Sequence, residues 1–114
     1  MALEIVEKES GGITVLELSG QVVLGGESSQ LRSKIKTVLQ EGKTRLVLDM
    51  ANVRRVDSAG LGTLVAAYTT AQSQGAKLKL ARITERLTSL LQITKLVTIF
   101  ETYPHVEEAV KSFS

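Results

Sequence analysis

Ser58 is a small hydroxyl set where a strand pattern gives way to a helix pattern, with Asp57 directly before it and Ala59, Gly60, Leu61 and Gly62 directly after. A helix start presents backbone N–H groups that lack intrahelical partners, and the aligned peptide dipoles add positive potential there, so the position favours an anion. Two roles for such a hydroxyl can be weighed from the local sequence: capping the helix or attacking a substrate. Capping asks only that Asp57 or Ser58 accept a hydrogen bond from the first turn. Attack asks for a base and an orienting acid, and the single histidine, His105, falls after Pro104 at the far end of the chain. That shortage weighs against a small serine hydrolase. Asp49 and Asp57 lack an evident third ligand for a metal, and the glycines show neither dinucleotide spacing nor a following Lys-Ser/Thr pair. The reading is therefore of no catalytic residue, no metal and no cofactor.

The elements that must position Ser58 follow from periodicity. Upstream, Arg45 to Met50 is an apolar run without alternation, as expected of a strand covered on both faces. Downstream, Leu61, Leu64, Val65 and Tyr68 recur at helical spacing, and Gly75 supplies the stop. Ahead of these, Leu3 to Glu7 and Ile13 to Leu18 form a hairpin about Gly11-Gly12, with Gly20 bulging the second strand and Val22 to Leu24 continuing it. Leu31, Ile35, Val38 and Leu39 mark a first helix, capped by Ser28 or Ser29 and closed at Gly42. Lys77 to Ala81 alternates as a strand, and Thr84 caps a third helix carrying Leu87, Leu90 and Leu91. A short edge strand is expected around Val97 to Phe100. Pro104, at a first helical position, then opens a last helix with Val106, Ala109, Val110 and Phe113 on one face. The whole predicts one α/β domain over residues 1–114, a small mixed but mainly parallel sheet of five strands with four helices mostly on one face.

Composition narrows the function. Fourteen basic against twelve acidic residues leave a net charge of +2, and only Arg54-Arg55 pairs basic residues side by side, in what reads as a solvated loop. With no Trp, two Phe and two Tyr there is no stacking platform, so direct nucleic-acid binding gets little support. The absence of cysteine excludes disulfides, thiolate metal sites and a cysteine nucleophile. The amino terminus carries acids where a signal peptide would be basic, and no apolar run approaches bilayer length, so a cytoplasmic protein without membrane insertion is expected.

The order of elements, together with Leu18-Ser19-Gly20, the strand Leu46 to Met50, the turn Val53-x-x-Val56-Asp57-Ser58-x-Gly60-Leu61-Gly62, and Gly75 with Leu78 to Leu80, resembles the STAS domain family, and within it the bacterial anti-sigma factor antagonists. The turn carries most of that resemblance. It implies that Ser58 is phosphorylated by an anti-sigma factor that is also a serine kinase, that the unmodified chain captures this factor and frees the sigma factor, and that a metal-dependent serine phosphatase resets the switch. It implies a monomer or weak dimer. Two positions depart from the family pattern: Gln21-Val22-Val23 stands where acids are common, and Ala59 removes a second hydroxyl, leaving Ser58 the one acceptor in the turn. The missing acids give weight to an alternative, an unmodified STAS scaffold subunit in a stress-sensing or lipid-transport assembly.

On this reading the docking surface comprises Asp57, Ser58, Ala59, Gly60, Leu61 and Gly62, the helix face at Thr63, Ala66 and Ala67, and the loop from Gln21 to Gly26, with Gln21 and Val23 foremost. Gly60 and Gly62 keep the turn bare for a partner's backbone. Phosphorylation adds a charge of about −1.5 to −2, tolerated at a helix start but costly in a docked face, which makes an electrostatic switch with little backbone movement.

Overall fold

Gly11 and Gly12, both at positive φ (58° and 83°), turn β1 (Glu4–Ser10) back onto β2 (Ile13–Val22) in the computed structural model, which describes residues 3–113. The chain then alternates: α1 (Gly26–Gln40), β3 (Arg45–Val56), α2 (Ser58–Ser73), β4 (Lys77–Ala81), α3 (Glu85–Ile93), a 3₁₀ turn at Leu96–Thr98, β5 (Thr102–Tyr103) and α4 (Val106–Lys111). The strands lie side by side in chain order. β1 pairs antiparallel with β2, and every later pair is parallel. Parallel neighbours need a crossover long enough to hold a helix, and α1, α2 and α3 supply those crossovers.

The two faces of the sheet are unequal. One packs Leu16, Leu18, Leu46, Leu48, Met50, Leu78 and Leu80 against Leu31, Ile35, Val38, Leu64, Leu87 and Leu91 of the three long helices. The other holds a small cluster, Ile13, Val15, Val47 and Ala81 under Ala109 of α4, with Tyr103, Val106, Val110 and Phe113 around it. β3 lies between two strands and two helical layers, so Leu46, Val47, Leu48, Asp49 and Met50 are all buried and no alternation survives.

Several local expectations give way. Ser28 does not cap α1: Gly25 holds that position, and the Ser28 hydroxyl, inside the first turn, donates to the Val23 carbonyl at 2.7 Å. β2 stops at Val22, because Leu24 turns its N–H away from the sheet to Asp57. No strand forms at Val97 to Phe100; Lys95, left-handed at φ 62°, starts the 3₁₀ turn, and the edge strand comes later, where Thr102 and Tyr103 reach Leu80 and Ala81. Pro104 sits before His105, the residue flanking α4, and not inside the helix. Arg54-Arg55 belongs to no loop: β3 continues to Val56 because β2 continues to pair with it, two register shifts absorbing the irregular spacing.

Candidate functional site

Asp57, directly after β3, is the N-cap of α2 in an extended conformation (φ −91°, ψ −176°), and its carboxylate reaches back over the first turn of that helix. Oδ1 accepts from the Gly60 N–H at 2.8 Å, and Oδ2 accepts from the Leu24 N–H at 3.0 Å. One carboxylate thus caps α2 and pins the loop between β2 and α1 beside it. These two backbone donors, with a smaller contribution from the Arg55 charge, hold the Asp57 carboxyl below its ordinary value. Asp57 is therefore an anion at neutral pH and a fixed part of the frame.

Gly60 completes that frame. A Cβ at this position would lie 1.8 Å from the Val22 carbonyl oxygen, inside any permitted contact, so only glycine lets the first turn of α2 press against the end of β2. Its bareness therefore serves the chain's own packing; Gly62, exposed and with open space where a Cβ would stand, is the glycine left bare outward. Between them, Leu61 joins the core at 6% exposure. The expected open helix face at Thr63 and Ala67 is also absent. Thr63 is 2% exposed, its hydroxyl donating to the Ala59 carbonyl, and Ala67 is 4% exposed where α1 lies against α2.

The surface at this corner consists of Ser58, exposed, and Ala59, half-buried, on the first turn, with Gly62 and half-buried Ala66 further along α2. Beside them stand half-buried Gln21 and Val23, and Leu24, whose side chain is 77% exposed. Leu24 lies within the expected Gln21 to Gly26 loop, although its apolar side chain after Val22-Val23 also reads as one more strand position. Its exposure follows from the Asp57 bond to its N–H, which draws the backbone out of the sheet.

The arrangement sets an exposed serine at the start of a sixteen-residue helix, on a turn fixed from beneath. His105 opens onto a different hollow, walled by Arg82, Ile83, Thr88 and Tyr103, beyond β5 and two strands from the one that delivers Ser58. Asp49 is engaged by Arg82, with nitrogen to oxygen distances of 2.9 and 2.6 Å. Among the described residues no group of three or more His, Cys, Asp or Glu is placed to hold a metal ion, and no helix is long and apolar enough to cross a membrane.

The chain is similar to known proteins both in sequence and in fold. The chain is 34% identical over 86 residues to the anti-sigma-B factor antagonist of Bacillus subtilis, covering 71% of this chain and 78% of that protein. Its fold is shared with a Thermotoga maritima protein assigned as an anti-sigma factor antagonist (TM-score 0.87, 20% identity, 95% of this chain and 92% of that one). It is shared also with the Bacillus cell fate determinant SpoIIAA in its phosphorylated form (TM-score 0.75, 18% identity, 97% and 100%). The model of the STAS domain matches residues 4–109, from the start of β1 into α4. A match that spans every strand and the Ser58 turn, alongside so close a relative, places the chain in the STAS domain family.

Proposed function

We propose that this protein is an anti-sigma factor antagonist, a binding protein and not an enzyme, switched off by phosphorylation of Ser58. The observation that carries the reading is the exposed Ser58 hydroxyl on the first residue of α2, where Asp57 and Gly60 fix the turn from below. Likeness to the Bacillus subtilis antagonist supports the partner class. The partner is an anti-sigma factor with serine kinase activity, which supplies ATP; a metal-dependent serine phosphatase reverses the modification, and the exchange takes place in the cytoplasm. The docking surface is Ser58, Ala59, Gly62 and Ala66 with Gln21, Val23 and Leu24.

The energetics favour a switch at the surface. A phosphate at a helix start is stabilised by roughly 0.3–1 kcal/mol, so the fold accepts it. The same dianion pressed against a partner shaped for a hydroxyl loses water and meets fixed charge, and a penalty of only about 3 kcal/mol weakens binding more than a hundredfold.

Incubating the protein with candidate serine kinases and ATP, followed by intact mass and peptide mapping, tests the reading. A single phosphate on Ser58 is expected. Partner affinity should be retained in Ser58→Ala and lost in Ser58→Asp; equal affinities for wild type and both variants would remove the mechanism.

A further inference from the structure

α1 and α2 pack on the same face of the sheet, and the line where they meet is open to solvent as a groove of ≈ 240 Å³. Arg32, Ile35 and Lys36 form its α1 wall, and Ala66, Ala67, Thr70 and Gln74 its α2 wall. Ile35 and Ala67 are buried and make the floor, with half-buried Ala66 beside them. The alanines of α2 are too short to fill the space that the side chains of α1 leave.

Charge along the groove is one-sided. Arg32 and Lys36, both exposed, stand four residues apart on α1, so they face the same way and repel one another. The wall opposite carries no acid to answer them. Among the described residues no ion pair involves either cation: Glu7 is bound to Lys34 and Lys43, and Glu41 to Lys43. Two uncompensated cations beside an apolar floor call for an occupant that is apolar on one side and acidic at its margin.

The backbone narrows the occupant further. Both walls are helices, whose N–H and C=O groups bond along their own axes, so the groove has no edge to pair with an extended chain. Whatever lies there must satisfy its own backbone, which a helix does. A second copy of this chain joined by a two-fold contact would set Arg32 and Lys36 against themselves. No aromatic ring lines the groove, which removes the stacking that single-stranded nucleic acid uses.

We propose that the groove between α1 and α2 receives an amphipathic helix with an acidic margin, its apolar side chains over Ile35, Ala66 and Ala67 and its carboxylates toward Arg32 and Lys36, and that the protein docking at Ser58 supplies this helix. The second half rests on the function proposed above; the first does not. Ala66 belongs both to the groove and to the docking surface around Ser58, so the two are continuous along α2. Ser58 precedes Ala66 by eight residues, about 12 Å of helix, which exceeds the physiological screening length of about 8 Å. The groove therefore anchors the partner while Ser58 gates it, and the two contributions add.

The test is an NMR titration of the isotope-labelled full chain with a peptide of about sixteen Leu, Ala and Glu residues, held helical by a side-chain lactam, its leucines on one face and its glutamates beside them. The Lys-for-Glu peptide, sodium laurate and oligothymidine serve as the other arms. Expected are saturable shifts at the amides of Arg32 to Lys36 and Ala66 to Gln74, with affinity lowered at least about tenfold in Arg32→Glu and in Lys36→Glu. Thr70→Trp, which obstructs the groove from an exposed position without changing charge, should weaken binding as well. Should charge reversal unfold the chain, Arg32→Gln and Lys36→Gln give the same comparison with smaller losses. Shifts elsewhere, indifference to the variants, equal binding of the basic peptide, laurate or oligothymidine, or self-association through the same amides would overturn the proposal. If a Ser58 kinase binds wild type and Lys36→Glu equally, the groove is not that partner's site, and the switch is untouched. If the peptide seats in the groove while no kinase modifies Ser58, the helix site stands and the switch reading falls.

Discussion

The Ser58 corner and the sheet face beneath α4 treat polar groups in opposite ways. Under α4, Lys79 is 4% exposed, and its ammonium donates to Ser112 Oγ at 2.7 Å, lies 3.2 Å from Glu101, and sits 4.3 Å from the centre of the Phe113 ring. Asp49, 3% exposed on the neighbouring strand, is held by the Arg82 guanidinium. Among the described residues no buried side-chain nitrogen or oxygen lacks a partner. At the corner, both Asp57 carboxylate oxygens are likewise engaged, yet Ser58 beside it is exposed. The pairing of polar groups thus builds the frame, and Ser58, the residue proposed to be modified, is left outside it.

Four measurements break or sharpen this contrast. The largest effect belongs to Gly60→Ala, because the obstacle to the new methyl is the Val22 backbone carbonyl and not a mobile side chain. A loss at or above the ~1–3 kcal/mol usual for overpacking is expected in chemical denaturation, and a native midpoint would show that the corner is loose. Arg82→Met follows, stranding the buried Asp49 carboxylate. Since the Arg82 side chain is 44% exposed, a loss of about 2 kcal/mol is expected, below the ~3–5 kcal/mol of a fully buried pair.

Lys79→Met should cost less, within about 1 kcal/mol of wild type, because a side chain of similar length fills the space between the rings and Glu101, 57% exposed, returns to water. A loss as large as that of Arg82→Met would mean the buried ammonium is indispensable to α4. The smallest effect is pH-dependent. The Asp57 carboxyl is held below its unfolded value, so its contribution is complete above about pH 4 and disappears as the pH falls through the lower folded value. Wild type should therefore exceed Asp57→Asn in thermal stability at neutral pH, with the gap closing in acid; a constant gap would deny that the charge matters.

Local chemistry made the corner legible, since capping and turn formation depend on residues within a few positions of one another. Asp57, Thr84, Gly42 and Gly75 all act as their sequence surroundings suggest. What stayed hidden depends on distant partners. Met50, Val53 and Val56 recur every third residue, which reads as a loop, yet they are strand residues because β2 imposes the pairing and its bulges absorb the misfit. Thr63 looks like an exposed polar residue until its hydroxyl is seen to bond the preceding turn. β5 has two residues and no pattern to detect, and the alternation at Val97 and Ile99 marks surface positions, 44% and 36% exposed.

The rims of the sheet carry one further lesson. β1 is the long outer margin, seven residues of which Glu4, Glu7, Lys8 and Glu9 are charged, with Glu7 drawn inward to Lys34 and Lys43. The opposite margin, β5, is two residues long. A copy of the chain seeking to extend the sheet meets mismatched charge at one border and almost no backbone at the other. Fibril growth by strand addition is thereby discouraged at both, in a molecule whose interior is rich in the aliphatic strands that aggregation favours.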